Sequence, residues 1–282
     1  MANEVTKKPA TGLQAFNQTI TNPSTQKYLA DVLGERKGSF VNNLTALVAN
    51  NAQLQECVPL TVMFAALKAT ALNLPLENSL GMAYCIPYRN NKDNTTVAQF
   101  QLGYKGFKQL ALRSGQFAVI PNATDIKEGE LKSRNRLTGE CVFEFIENDK
   151  ERAKAKTIGY ASYFKLLNGA ESTFYMSIEE MEAHALRYSQ TYRSKTDYIK
   201  KSSKWTTDFD DMAKKTVIKL NLSRNAPLSV EMQDAIKADQ SVMYEADKYE
   251  YTDNMEQQMF DAQKAQEVAD KFADFDDVTD KK

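Results

Sequence analysis

The sequence of 282 residues contains one histidine and three cysteines. A lone histidine, His184, excludes His-rich metal sites, and we expect it to be structural. The cysteines Cys57, Cys85 and Cys141 have no CxxC spacing, so neither a zinc site nor a disulfide framework is indicated. The chain also lacks a GxxxxGK[ST] phosphate loop, so no site for ATP hydrolysis is indicated. It lacks a GxSxG nucleophile elbow as well, so the sequence gives little support for a Ser–His–Asp triad.

Long apolar runs are also missing. No stretch approaches the roughly 20 apolar residues that span a bilayer, and the N-terminus has no apolar signal region. We therefore expect a soluble, cytoplasmic protein with no membrane partner.

The charge is divided unevenly along the chain. Residues 229–282 carry 15 acidic and 6 basic residues, a net charge of −9, whereas the whole chain carries −1, so residues 1–228 carry +8. A basic body predicts a polyanionic partner, and an acidic tail either recruits another protein, screens the body or only aids solubility.

Periodicity predicts an α+β fold. Helical patterns run from Ser24 to Gly34, over 40–51, from Pro59 to about Asn73 and from a capping box at Ser177. Between them, 82–103 reads as a β-hairpin with a polar tip at Asn90–Thr95, and 117–176 reads as several strands. We expect exposed tips at 127–130 and 148–152, and little fixed structure beyond about Lys237.

The stretch FQLGYKGFKQLALRSGQ, residues 100–116, predicts a strand end and an amphipathic helix. It carries Tyr104, Lys105, Lys108 and Arg113 with no acidic residue. Solvent-exposed helix faces usually pair such cations with acids one turn away, so this face favours an anionic ligand over plain solvent exposure.

A second cationic region runs from His184 to Arg224, with ten Lys or Arg residues and four acids interleaved with aromatic residues. Cations that neutralise phosphates and rings that stack on bases are typical of single-strand binding. Trp205 and Phe209 are expected to pack inward. A helix is predicted to begin near Asp208 and to stop before Pro227, with Lys214, Lys215 and Lys219 on its surface. The candidate DNA-binding residues are Tyr104, Lys105, Lys108, Arg113, Arg187, Tyr192, Arg193, Lys200, Lys201, Lys204, Lys214, Lys215, Lys219 and Arg224.

Two other functions stay open at this point. Asp208, Asp210 and Asp211 could hold Mg²⁺ in a nuclease, although acids in the first turn of a helix are better explained by capping. A passive single-strand binding protein would need the same cations and rings as an annealing protein. We expect no catalytic residue, no resident metal and no required cofactor, with Mg²⁺ only as a counter-ion of DNA.

The segments GMAYCIPYRN, FQLGYKGFKQLALRSGQ and FDDMAKKTVIKLNLSRNAPLS closely resemble the RecT group of phage and prophage single-strand annealing recombinases, over about 40–229. The resemblance implies a sheet or hairpin packed on helices around a basic groove, as in the related Redβ branch. The family's cationic positions correspond to Lys105, Lys214 and Lys215. The assignment of Lys108 as a DNA-binding candidate depends only on its position on the helical wheel.

The resemblance also implies the activity and the partners. Such proteins bind single-stranded DNA without ATP, form homo-oligomeric rings or helical filaments and pair the strand with its complement to give duplex DNA. A phage exonuclease and a host single-strand binding protein are implied partners, in a bacterial host cell. We expect an N-terminal helical oligomerisation segment at 1–35, a DNA-binding annealing core at 36–230 and an acidic, largely flexible tail at 231–282. The core would form one groove between the helices that carry Lys105 and Lys214.

Overall fold

The computed structural model describes residues 12–90, 94–246 and 248–251. The helices are α1 Gly12–Thr21, α2 Pro23–Leu33, α3 Lys37–Ala49, α4 Ala52–Gln55, α5 Pro59–Ala71, α6 Tyr104–Ser114, α7 Asp149–Arg152, α8 Ile178–Tyr188, α9 Gln190–Arg193, α10 Asp197–Ser202, α11 Lys204–Thr207, α12 Phe209–Asn225 and α13 Val230–Ala238, with a 3₁₀ turn at Gly34–Arg36. The strands are β1 Ala83–Asn90, β2 Thr95–Leu102, β3 Phe117–Lys127, β4 Leu131–Arg134, β5 Cys141–Phe143, β6 Thr157–Leu166, β7 Glu171–Ser177, β8 Ser241–Glu245 and β9 Lys248–Glu250. Helices with antiparallel strand pairs confirm the α+β class.

The described residues fall into two compact units. The first comprises the described residues up to Pro121 together with those of Lys165–Ala170 and Leu222–Glu250, and the second comprises Asn122–Phe164, Glu171–Asn221 and Tyr251.

Local sequence signals set several helix ends where they were predicted. The Ser177 hydroxyl accepts a hydrogen bond from the Glu180 N–H (3.2 Å), and the Glu180 carboxylate accepts one from the Ser177 N–H (2.9 Å), which completes the capping box of α8. Pro59 opens α5, where its missing N–H costs nothing. Gly115 ends α6 with a φ of 64°, a conformation that glycine adopts without strain.

The first unit is built on a four-stranded sheet in the order β1-β2-β8-β9. Strands β1 and β2 form the predicted hairpin, with register from Ala83↔Leu102 to Asn90↔Thr95. Helix α5 packs on β2, and the Thr61 hydroxyl of α5 accepts a hydrogen bond from the Ala98 N–H of β2 (2.9 Å). Most of α5 is buried, so this helix is central to the core of the first unit.

The expectation of little fixed structure beyond Lys237 is wrong for β8 and β9. Strand β8 pairs with β2 through Gln99↔Val242, and Val242 and Met243 are almost fully buried. Just before the strand, the Asp239 carboxylate accepts a hydrogen bond from the Leu102 N–H (2.8 Å) in a buried position. The acidic composition around a short apolar run concealed this strand. Residues 252–282 of the predicted tail lie outside the described residues.

A partly buried polar contact also joins α13 and β9 to α5. The Lys68 ammonium lies 3.0 Å from the Asp234 carboxylate, which also accepts a hydrogen bond from the Tyr249 hydroxyl (2.7 Å). Burial alone lowers the pKa of Lys68, but the hydrogen bonds with Tyr249 and Asp234 outweigh it and raise this pKa. Burial and Asp234 raise the pKa of Tyr249 to about 12, against the opposing effect of Lys68. The segment after α12 is therefore an integral part of the first unit.

The second unit contains most of a three-stranded sheet in the order β3-β6-β7, together with the β4–β5 hairpin. Its main core joins Tyr160 of this sheet to Met181 of α8, Trp205 of α11 and Val217 of α12. Asn221 of α12 is 1% exposed, and its amide donates to the Ser162 hydroxyl of β6 (2.9 Å) and accepts from the Ser172 hydroxyl of β7 (2.8 Å). These contacts fix α12 on the sheet.

The two predicted loop tips at 127–130 and 148–152 are not simply exposed. Glu130 is fully buried, and its carboxylate accepts hydrogen bonds from Arg152 Nε (2.7 Å) and Nη2 (3.1 Å) and from two backbone N–H groups. Burial alone raises the pKa of Glu130, but the Arg152 guanidinium and these amides outweigh it and hold the pKa below its ordinary value. A buried ion pair therefore joins the two loops.

We expect Asp239→Ala to lower the free energy of unfolding by about 1–3 kcal/mol, because the buried Leu102 N–H loses its acceptor. Asp239→Asn keeps an acceptor oxygen and is the matched control. Urea unfolding followed by circular dichroism measures both. Equal midpoints for the alanine variant and the wild type would show that this contact does not hold β8.

We expect Glu130→Gln to cost about 1.5–3 kcal/mol at pH 7, because Arg152 loses a charged partner. A carboxyl whose pKa is lowered by folding stabilises the protein above its unfolded pKa of about 4.3 and loses this effect as the pH falls. The stability gap between variant and wild type should therefore shrink between pH 5 and pH 3. Urea titrations at several pH values measure the gap, with exposed Glu128→Gln as the control. A gap independent of pH would contradict the role of the ion pair.

Candidate nucleic-acid interface

Helix α6 begins with the GYKG motif, Gly103–Gly106. A β-carbon at Gly103 would overlap the Gly81 carbonyl oxygen, and one at Gly106 would overlap that of Met82. The Gly103 N–H also donates to the Met82 carbonyl (2.8 Å). Both positions therefore require glycine, because only a residue without a β-carbon lets the start of α6 pack directly on the backbone of Gly81 and Met82.

The cationic side chains of α6 have different environments. Lys105 is exposed, whereas Lys108 places its Nζ 3.4 Å from the Tyr104 hydroxyl and 5.3 Å from the centre of that ring. Arg113 donates to the Leu72 and Asn73 carbonyls, each at 2.7 Å, where α5 ends. Arg113 thus has a structural role that the sequence did not reveal, and its role in DNA binding stays a prediction.

Helix α12 presents its lysines unequally. Lys214 and Lys219 are half-buried and Arg224 is exposed, but Lys215 is only 8% exposed. The expectation that all three lysines lie on the helix surface is therefore wrong for Lys215. At the other end of the helix, the Tyr160 hydroxyl donates to Asp210, and burial followed by this contact raises the pKa of Tyr160.

Most aromatic residues of the second cationic region pack inward. Trp205 is 5% exposed and lies edge-on to Phe209, with ring centres 5.6 Å apart, which confirms the prediction that they pack inward. The centre of the His184 ring lies 4.5 Å from the centre of the Tyr188 ring and 6.3 Å from that of the Trp205 ring. Tyr192 is half-buried against Trp205, and burial, followed by the charge of Glu182, raises its pKa. These rings mainly build the core.

The cations around these rings divide into two kinds. Arg193 donates to the carbonyls of Leu186 (3.2 Å) and Arg187 (2.9 Å) and thereby caps the end of α8. Arg187 and Lys200 instead lie over aromatic rings, 5.6 Å from the centre of Tyr188 and 5.4 Å from that of Tyr192, respectively.

Lys201 and Lys204 form ion pairs one turn apart, with Asp197 and Asp208, each at 2.9 Å. Both lysines are 74% exposed along their side chains. Exposed pairs of this kind contribute only about 0–1 kcal/mol, so a phosphate can compete with the carboxylate. Hydrogen bonds from Thr207 and Lys204 hold the pKa of Asp208 below its ordinary value.

The predicted site residues are distributed over both units. Those in the first unit are Tyr104, Lys105, Lys108, Arg113 and Arg224. Those in the second unit are Arg187, Tyr192, Arg193, Lys200, Lys201, Lys204, Lys214, Lys215 and Lys219. The single groove between α6 and α12 stays a prediction. Residues 91–93 of the predicted hairpin tip lie outside the described residues.

Two of the three acids named for the nuclease alternative have other partners in the fold. Within residues 12–90, 94–246 and 248–251, no group of three or more His, Cys, Asp or Glu side chains could hold a metal ion. Asp208 accepts hydrogen bonds from Lys204 and Thr207, and Asp210 accepts one from Tyr160.

Among the described residues, no helix combines the length and the apolar character that crossing a membrane requires.

We expect Gly106→Ala to lower stability by about 1–3 kcal/mol, because a methyl group overlaps the Met82 carbonyl and α6 must move. Gly38→Ala in α3 adds a methyl group in open space and should be neutral or slightly stabilising. Thermal unfolding compares the two variants. A Gly106→Ala protein as stable as Gly38→Ala would contradict the close packing.

Comparison with known proteins identifies the family of the chain. The sequence model of the RecT family matches residues 38–258. Over 217 residues the chain is 40% identical to "Uncharacterized protein YqaK" of Bacillus subtilis (strain 168), which covers 77% of this chain and 69% of that protein. It is 25% identical over 231 residues to "Protein RecT" of Escherichia coli (strain K12), which covers 78% of each. The family match spans well over half of the chain, including the GYKG motif and α12, so the chain belongs to the RecT family.

Proposed function

We propose that this protein is an ATP-independent single-strand annealing recombinase. It binds single-stranded DNA through the cations of α6 and α8–α12, oligomerises along the strand as a ring or helical filament and pairs the strand with its complement. The observation that carries the proposal is the RecT family match, which includes both cationic regions. DNA binding and a role in recombination follow from the family, and the mechanism is our proposal.

The chemistry of the cations fits annealing. An annealing protein must hold phosphates and leave the base edges accessible, so that base pairing and not the protein reads the sequence. A lysine ammonium is a flexible point charge that contacts phosphates without sequence preference. Lys105, Lys201 and Lys204 are exposed, as this function requires. Many weak contacts repeated along a filament can hold a strand without trapping it.

The remaining parts of the proposal concern partners and place of action. The products are annealed duplexes, and no cofactor is required beyond Mg²⁺ as a counter-ion of DNA. A phage exonuclease supplies the single strand, and a host single-strand binding protein is displaced or recruited. The protein acts in the cytoplasm of a bacterial host, encoded by a phage or prophage.

We expect the purified protein to anneal complementary oligonucleotides without ATP, as measured by fluorescence energy transfer between dyes on the two strands. Annealing brings the dyes together because both coated strands keep their bases accessible. Strands that stay protected and unpaired would support the alternative of a passive binding protein. Degraded strands in the presence of Mg²⁺ would support the nuclease alternative.

We also expect affinity for oligonucleotides to fall steeply with salt, with a slope in log–log form of about −0.7 per phosphate contacted. Lys105→Gln and Lys214→Gln should each make this slope less steep, and Lys271→Glu should leave it unchanged. Fluorescence anisotropy measures the slopes. Lys215→Glu is a poor probe, because Lys215 is 8% exposed and its reversal would also disturb folding. An affinity independent of salt would contradict phosphate binding.

A further inference from the structure

Tyr198 of α10 is 81% exposed, although most aromatic rings of its region pack into the core. In the described part of the chain, the other exposed aromatic residue is Phe145, whose exposed fraction is 49%. Tyr198 does not belong to the core cluster that contains Trp205, Phe209 and Tyr192. A single exposed ring is common on protein surfaces, but this one is flat, accessible and able to contact a ligand, so the charges around it decide which ligand it fits.

The charge around this ring favours a polyanion. From Arg193 to Lys204 the chain carries five cations and one acid, Asp197, whose carboxylate pairs with Lys201. Lys201 follows Tyr198 by three residues and therefore lies on the same side of α10. Lys195, three residues before Tyr198, is also exposed.

We propose that Tyr198 stacks on a base of single-stranded DNA while Lys195 and Lys201 hold neighbouring phosphates. This inference rests on the proposed function and names the contact that the strand makes at α10. A flat ring among cations is the arrangement that binds single strands without sequence preference, because every base has a stacking face. The local net charge of +4 repels the same basic surface of a second copy, and a contact with the acidic end of another copy is separated from DNA binding by the test below.

The tyrosines that the sequence first suggested are less suited to stacking. Tyr104 and Tyr192 are half-buried, and a lysine ammonium lies 5.3–5.4 Å from the centre of each ring. The core and the lysine thus restrict the ring faces that a base could use. Tyr198 presents its ring to solvent, so it is the residue that the structure assigns to base stacking.

Tyr198→Trp tests stacking directly in the full chain. An indole stacked on thymine loses fluorescence, so we expect oligo(dT) to quench this variant well beyond the change in wild type, where Trp205 alone reports. Leu167→Trp, at a site 69% exposed in the first unit, is the matched control and should show no such quenching. Equal signals in the two variants would overturn the inference. The inference would also be overturned if the emission of Tyr198→Trp changed with protein concentration in the absence of DNA but did not change when DNA was added. That result would favour a contact between copies of the chain.

Alanine substitution separates stacking from charge. We expect Tyr198→Ala to weaken oligonucleotide binding at least about fivefold with an unchanged salt slope, because stacking releases no counter-ions. Tyr198→Phe should bind like wild type, and Lys201→Gln should reduce the slope. Thermal unfolding should show all three variants folded, because both side chains are exposed.

The outcomes distinguish this inference from the proposed function. Unchanged affinity of Tyr198→Ala, with wild type binding and annealing, overturns the stacking role and leaves the annealing function intact. A wild-type protein that fails to bind single-stranded DNA overturns both.

Discussion

The contact between the GYKG motif and the carbonyls of Gly81 and Met82 fixes where the cations of the first unit lie. Since no side chain separates these backbones, α6 starts at one position relative to the β1–β2 hairpin. Arg113 fixes the other end of α6 through the carbonyls that end α5. Lys105 therefore stands on a helix held at both ends, which gives this exposed ammonium group a rigid support.

Arginine and lysine serve different purposes in this protein. The guanidinium groups of Arg113, Arg193 and Arg152 each bridge two acceptors within the fold, as a planar group with five donors does well. The exposed ammonium groups of Lys201 and Lys204 form only weak pairs one turn away. The fold therefore uses several arginines for rigidity and leaves lysines exposed, which fits the exchangeable phosphate contacts of the proposed function.

Local signals in the sequence predicted much of this fold, because caps, prolines and periodicity act within a few residues. The Ser177 capping box, the Pro59 start and the β1–β2 hairpin are of this kind. The sequence could not show that Glu130 pairs with Arg152 or that Lys215 is buried, because both depend on which segments meet in the folded chain. The sequence could name the cationic candidates, whose contacts with DNA stay a prediction. The structural roles of Arg113 and Arg193 could not be seen in it, because they depend on the carbonyls that these side chains contact.

The position of β8 also reduces the number of acids that can be assigned to an acidic tail. Two acids that the sequence assigned to a tail, Asp234 and Asp239, hold α13 and β8 within the first unit through Lys68 and the Leu102 N–H. Residues 252–282 contain 9 acids and 4 bases, a net charge of −5, and not the −9 of the whole segment from 229. In the proposed function, a DNA strand that competes with this terminal segment for the basic surface therefore displaces a net charge of −5 and not −9, which is the easier exchange.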